Sequence, residues 1–71
     1  MSLSDLIQGQ KARISHIPDE NLRTQLLRFG ITTGSEIKCH CRLPFGPVVL
    51  QFAGQEIALG RTLANQVHVK Q

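Results

Sequence analysis

Apolar residues along this chain fall into short stretches in which they alternate with polar residues, the pattern of half-buried β-strands. In residues 11–17, Ala12 and Ile14 alternate with charged and polar neighbours, which predicts a strand. Ile17 falls out of phase with them, so we expect a bulge or bend near residues 15–16.

One segment has helical periodicity instead. Leu22, Leu26 and Phe29 follow one another at intervals of four and three residues, which places them on one side of a helix. The preceding Pro-Asp-Glu-Asn, residues 18–21, supplies a capping residue and early negative charge. Gly30 stands where a left-handed residue ends many helices. We therefore predict a helix with these three apolar side chains on its buried side.

Three strands are predicted after the helix, over residues 36–43, 48–53 and 56–59, and residues 67–69 close the chain as a fifth strand. Each stretch has alternating apolar residues that would face one core. Two prolines lie within residues 43–47, where they remove backbone donors, so we expect an exposed loop there.

Short turns complete the arrangement. We expect a helical turn over residues 4–6 with Ser4 as its N-cap, a hairpin turn at Gly54-Gln55, and a second helical turn capped by Thr62. The order strand, helix, three strands, helical turn, strand predicts a mainly β, small α+β fold. Its form would be a five-stranded antiparallel barrel in a single domain, residues 1–71, with one short helix between strands 1 and 2.

Composition narrows the classes of function. The 71 residues carry a formal net charge of +3, and the eight Lys and Arg are spread without a run of like charge. The excess of positive charge weakly favours an acidic partner. The alternative is that these cations belong to an ordinary solvated surface and bind no partner. Trp and Tyr are absent, which disfavours the base stacking of nucleic-acid binding, the less favoured alternative function. The sequence lacks a phosphate loop and a recognisable nucleophile–base pair, so we expect no catalysis.

The triplet Cys39-His40-Cys41 is the clearest candidate for metal chemistry, since thiolate and imidazole bind zinc and iron. Alternation along a strand would put Cys39 and Cys41 on one face and His40 and Arg42 on the other, so the three candidate ligands would not converge on one ion. We expect both thiols in the core, where a free Cys acts as a small hydrophobe. A metal sensor or carrier is the alternative.

His16 and His68 are the other imidazoles, and we expect both at the surface. They would approach each other only if their strands pair. No cofactor is expected to be required, and any transition metal, iron or zinc, is expected to bind weakly or adventitiously.

The ordered series of residues resembles the FeoA family, ferrous iron transport protein A. The resemblance is strongest over residues 22–37, which follow the pattern L-x-x-x-L-L-x-x-G-[I/L/M]-x-x-G-x-x-[I/V]. It extends to residues 3–14, to the loop over residues 43–47 and to residues 54–69.

This resemblance implies an SH3-like barrel of the kind also found at the C-terminus of metal-dependent iron repressors. It further implies a small non-enzymatic accessory or regulator of bacterial ferrous iron uptake that binds FeoB, a membrane permease with a cytosolic GTPase domain. The N-terminal residues lack the pattern of a signal peptide. We therefore expect a cytoplasmic protein with reduced thiols, recruited to the inner membrane by its partner.

The expected partner-binding residues are Arg23 and Arg28 on the polar side of the helix, together with Phe45 in the loop between the prolines. An exposed Phe is a suitable apolar anchor for a docked protein. The alternative is that Phe45 folds back over an open end of the barrel.

Overall fold

The computed structural model describes the backbone of residues 1–71 and every side chain except that of Arg42. It begins with a 3₁₀ turn, and five strands and two helices follow. In chain order the elements are the 3₁₀ turn Leu3–Asp5, β1 Lys11–His16, α1 Glu20–Leu27, β2 Glu36–Arg42, β3 Val48–Phe52, β4 Gln55–Leu59, α2 Arg61–Ala64 and β5 His68–Lys70.

The five strands form one antiparallel sheet in the order β4-β3-β2-β1-β5. Strand β1 pairs with β2 through residues 11–13 and with β5 through residues 13–16, with a register shift between Ile14 and His16. The expected bulge in β1 is therefore confirmed, as is a mainly β fold with one helix between the first two strands.

All five strands contribute to one core. The sheet has to curve strongly to achieve this, and the molecule measures only 27 × 22 × 20 Å. The core also takes residues from the 3₁₀ turn, both helices and the connecting segments. Its buried members are Leu3, Leu6, Ala12, Ile14, Ile17, Leu22, Leu26, Ile31, Ile37, Cys39, Val48, Leu50, Ile57, Leu59, Ala64, Val67 and Val69.

Helix α1 has the predicted ends. The Asp19 carboxylate accepts hydrogen bonds from the backbone N–H groups of Asn21 and Leu22, at 2.8 and 3.1 Å, which satisfies two of the otherwise unpaired donors of the first turn. At the other end Gly30 has φ +86°. This is the left-handed conformation that glycine adopts without steric cost.

The apolar face of α1 differs from the prediction at one residue. Leu26 is buried, but the Phe29 side chain is 43% exposed, and Ile31 is fully buried in the core. The Ile31 N–H donates to the Leu26 carbonyl at 3.0 Å, and the Gly30 N–H donates to the Leu27 carbonyl at 2.9 Å. This pair of bonds is a Schellman motif, in which the apolar residue after the glycine packs against the last helical turn. Phe29 lies in this terminating turn, so helical periodicity no longer applies to it.

The N-terminal cap was predicted at the wrong serine. Ser2, not Ser4, precedes the turn, and its N–H donates to Asp5 Oδ2 at 2.9 Å. Ser4 is buried, and its hydroxyl donates to the Asn65 side chain instead. A buried hydroxyl requires a partner, and this bond ties the first turn to the segment after α2.

The predicted N-cap of α2, Thr62, was also wrong. The helix begins at Arg61, with Gly60 at the N-cap position and no side-chain cap, so Thr62 lies within the helix. The short helix leads directly into buried Val67, whose carbonyl accepts from the Leu3 N–H at 2.8 Å.

The β3–β4 hairpin turn lies one residue earlier than predicted. Phe52 pairs with Gln55, so the two-residue loop is Ala53-Gly54. Both loop residues are left-handed, with φ 50° and 77°. These angles match the two central residues of a type I′ turn, whose twist suits a two-residue hairpin.

Ala53 is therefore strained, and glycine at this position should stabilise the fold. Left-handed backbone costs an L-residue roughly 1–2 kcal/mol, while a new glycine costs roughly 0.5–1 kcal/mol of chain entropy. We expect Ala53→Gly to raise the free energy of unfolding in urea by about 0.5 kcal/mol.

Ala58→Gly is the matched control, since Ala58 is also exposed but lies in a strand. It should lower the free energy of unfolding. Equal destabilisation by both substitutions would show that Ala53 carries no strain.

Candidate interaction site

The loop between β2 and β3 presents an apolar side chain to solvent. Phe45 is fully exposed and Leu43 is about half exposed. The prediction of an exposed loop is confirmed, and the alternative in which Phe45 folds back over the barrel is wrong. The two prolines and the short span leave Phe45 at the tip of the loop.

The loop is nevertheless held in place at its base. The Leu43 carbonyl accepts from the Arg61 guanidinium and from the Gly46 N–H, the latter at 3.3 Å. A Cβ on Gly46 would lie 3.1 Å from the Leu43 Cβ, so the turn is tight. Phe45 is thus an exposed ring on a braced loop.

The C-terminal end of α1 and the Phe45 loop lie at opposite ends of β3. Arg23 and Arg28 are exposed on α1 and just after it, as predicted. The end of α1 lies beside the β3–β4 hairpin, where Gln55 Nε2 donates to the Phe29 carbonyl at 3.2 Å. Phe45 precedes the other end of β3, which is about 13 Å away for a five-residue strand. Arg28 is therefore separated from Phe45 by the length of β3, and the role of Arg23, Arg28 and Phe45 in binding stays a prediction.

The cysteine triplet is divided by a second bulge. Cys39 pairs with Leu50, but Cys41 pairs with Val49, so the register shifts at His40. Directly paired residues share a face of a sheet. Leu50 is buried and Val49 is not, so the bulge turns Cys41 away from the core.

Burial agrees with this register. Cys39 is fully buried and Cys41 is partly exposed, and neither forms a disulfide bond. The expectation of a core position is confirmed for Cys39 and wrong for Cys41, because strict alternation does not persist through a bulge. The expected outward direction of Arg42 concerns a side chain that lies outside the described residues.

The histidines occupy two separate places. His16 and His68 are directly opposite on β1 and β5, with ring centroids 5.9 Å apart and an interplanar angle of 29°. His40 Nε2 of β2 lies 3.5 Å from Glu56 Oε2 of β4, and β3 lies between these two strands. Among the described side chains, no three His, Cys, Asp or Glu residues are grouped so that they could hold a metal ion. The described side chains therefore offer candidate ligands in pairs, such as His16–His68 and His40–Glu56.

The chain matches the family model described as the FeoA domain over residues 1–71. The chain belongs to the FeoA family. Membership of this family supports a role in ferrous iron transport. No curated protein sequence matches the chain.

Solved structures agree with this assignment. A crystal structure of the iron uptake regulatory protein FeoA has a TM-score of 0.87 and 31% identity, and the alignment covers 99% of this chain and 95% of that one. The solution structure of FeoA from Chlorobium tepidum has a TM-score of 0.87 and 25% identity, over 99% of this chain and 69% of that one.

The same fold is found in a larger protein. The crystal structure of ScaR with bound Zn²⁺ has a TM-score of 0.87 and 25% identity, and all of this chain matches 36% of ScaR. The chain thus shares its fold with the SH3-like C-terminal domain of a metal-dependent repressor. Within the described residues, no helix is long and apolar enough to cross a membrane.

The bulge at His40 predicts different reactivity for the two thiols of this protein. Because Cys41 is partly exposed and Cys39 is buried, a maleimide should label the native protein once. Cys41→Ser should abolish this labelling, and Cys39→Ser should leave it intact. Mass spectrometry of the labelled protein measures both. Two labels on the native wild type, or retained labelling in Cys41→Ser, would contradict the register of β2.

Proposed function

We propose that this protein is a non-enzymatic accessory of ferrous iron uptake that binds the cytosolic GTPase domain of FeoB in the cytoplasm. Family membership supports the role in iron transport. The observation that supports binding is the fully exposed Phe45 on its braced loop.

Binding through Phe45 would gain free energy from burial of the side chain and would cost little conformational entropy. Burying a Phe side chain contributes roughly 1.5–3 kcal/mol, and in the free protein this gain is not used because Phe45 contacts solvent. A braced loop also loses little conformational entropy when a partner binds it. An exposed aromatic residue on a preformed loop has the properties of a binding hot spot.

The arrangement of acidic residues supports a non-enzymatic role. Asp5 and Asp19 accept hydrogen bonds from backbone N–H groups at the start of the first two helical segments. Glu36 lies 3.7 Å from Arg13, and Glu56 lies 3.5 Å from His40. Such structural partners account for these carboxylates without an acid–base role.

A second candidate function is binding of a divalent transition metal, which the facing rings of His16 and His68 favour. Both side chains are exposed, so they can turn to direct one nitrogen each toward a common ion. Two imidazoles leave the remaining coordination positions to water, so such a site would be weak and of the borderline-soft type that takes zinc or ferrous iron.

Phe45→Ala tests the main proposal. We expect the affinity for the isolated FeoB cytosolic domain to fall about 10-fold or more, from the lost apolar burial. The melting temperature should not change, because Phe45 makes no core contact. Isothermal titration calorimetry and thermal unfolding measure the two quantities.

Leu27→Ala is the matched control, since Leu27 is an exposed apolar residue on α1. It should leave the affinity unchanged. Loss of binding in Leu27→Ala but not in Phe45→Ala would move the interface from the loop to the helix. A wild type that does not bind FeoB would overturn the proposal.

Anaerobic titration with Zn²⁺ and with Fe²⁺, followed by NMR, tests the metal site. We expect saturable binding of one ion per chain that is lost in His16→Gln and in His68→Gln. His40→Gln is the control and should bind as the wild type does, because His40 lies beside Glu56 on another part of the sheet. Unsaturable binding, or equal loss in His40→Gln, would refute a site at the histidine pair.

A further inference from the structure

Strand pairing sets cations opposite one another on the outer face of the sheet. Lys11 of β1 is directly opposite Lys38 of β2, and Arg13 of β1 is directly opposite Lys70 of β5. All four side chains are exposed. Residues directly opposite have Cβ atoms about 5 Å apart, and like charges at that distance destabilise a sheet.

These four residues and Glu36, which is opposite Arg13, form the basic face, and together they carry the whole charge imbalance of the chain. The chain has eight Lys and Arg, five Asp and Glu, and a net charge of +3. The basic face has four cations and one acid, Glu36 opposite Arg13, which also makes +3. The other four cations are matched in number by the other four acids. Outside the basic face the formal charge is therefore zero.

A cleft opens at the centre of this face. It has a volume of about 140 Å³ and is lined by Lys11, Ala12, Arg13, Glu36, Lys70 and Gln71. The cleft lies beside the part of β1 where its two pairings meet. Strand β2 pairs with residues 11–13 of β1 on one edge, and β5 pairs from residue 13 onward on the other edge. A cleft of this size admits a carboxylate with its hydration water, or a short side chain that bears one.

We propose that the basic face binds an acidic segment of a protein partner, with one carboxylate seated in the cleft. The proposal rests on the proposed function, because it gives the FeoB-binding role a second surface and a partner chemistry. Two like-charge cross-strand pairs weaken the free protein. A bound acidic segment would relieve the repulsion within both pairs. It would therefore stabilise the sheet most at the positions where like charges destabilise the free protein.

The observations favour an acidic protein segment over nucleic acid. The residues that line the cleft include no aromatic side chain on which a base could stack. Three cations line the cleft, and Lys38 lies beside it, opposite Lys11. So few cations match a few carboxylates better than an extended phosphate backbone, which tight binding would engage at many more positions.

Charge reversal on the basic face tests the proposal, with hexaglutamate as the probe and NMR titration as the measurement. We expect hexaglutamate to shift the amide signals of the basic face. Lys38→Glu and Lys70→Glu should each weaken its binding about 10-fold, as lost charge complementarity predicts. Both variants should melt at or above the wild-type temperature, because each replaces a like-charge pair by an opposite-charge pair.

The double variant Asn21→Asp/Gln25→Glu is the matched control, since it lowers the net charge by the same two units at exposed positions on α1. It should retain the affinity within about twofold, because charges on α1 are distant from the basic face and are screened by salt. Equal loss in this double variant and in Lys38→Glu would show a general effect of net charge and would overturn the proposal. Amide shifts absent from the basic face would overturn it as well.

Binding measurements with two further kinds of probe separate this proposal from its alternatives. If the FeoB cytosolic domain does not bind but hexaglutamate binds at the basic face, the proposed partner is wrong and the acidic site stands. If a 20-base-pair duplex DNA or phosphatidylserine vesicles bind more tightly than hexaglutamate through the same residues, the partner is not a protein segment and the proposal fails.

Discussion

Five strands of three to seven residues share one hydrophobic core, and this constraint determines the rest of the structure. A domain of this size buries only about 60% of the surface that its unfolded chain exposes, less than a larger domain does, so no strand can be left outside the core. The sheet has to bend around that core. Bulges in β1 and β2 supply local bends and extra twist. The Schellman turn after α1 returns the chain to the core through Ile31.

The bulges also determine which polar and reactive groups reach the surface. In β1 the register shift sets His16 opposite His68, and in β2 it turns Cys41 outward while Cys39 stays buried. A chain that kept strict alternation would bury both thiols. The same bends that allow a small closed core therefore determine the chemistry of the outer face.

The two candidate binding surfaces differ in physical character. Phe45 offers apolar area on a braced loop, which would contribute affinity if a partner buried it. The basic face offers concentrated charge, which would contribute selectivity and a fast encounter with the proposed acidic partner. FeoA proteins and the metal-dependent repressor ScaR share this fold, and a fold alone does not specify a function. The individual surfaces of this chain therefore carry the functional argument.

The sequence by itself determined the strands, the central helix with its Asp19 and Gly30 ends, and most of the core, because periodicity and capping act over a few residues. It also placed Phe45 in an exposed loop through its flanking prolines. Only the tertiary structure decided that Phe29 is partly exposed, and that Phe45 lies far from Arg28. It also decided that Lys11, Arg13, Lys38 and Lys70 share one face. Strand register depends on pairing between residues distant in sequence, so scattered cations that look like an ordinary solvated surface become a single charged face only when the strands meet.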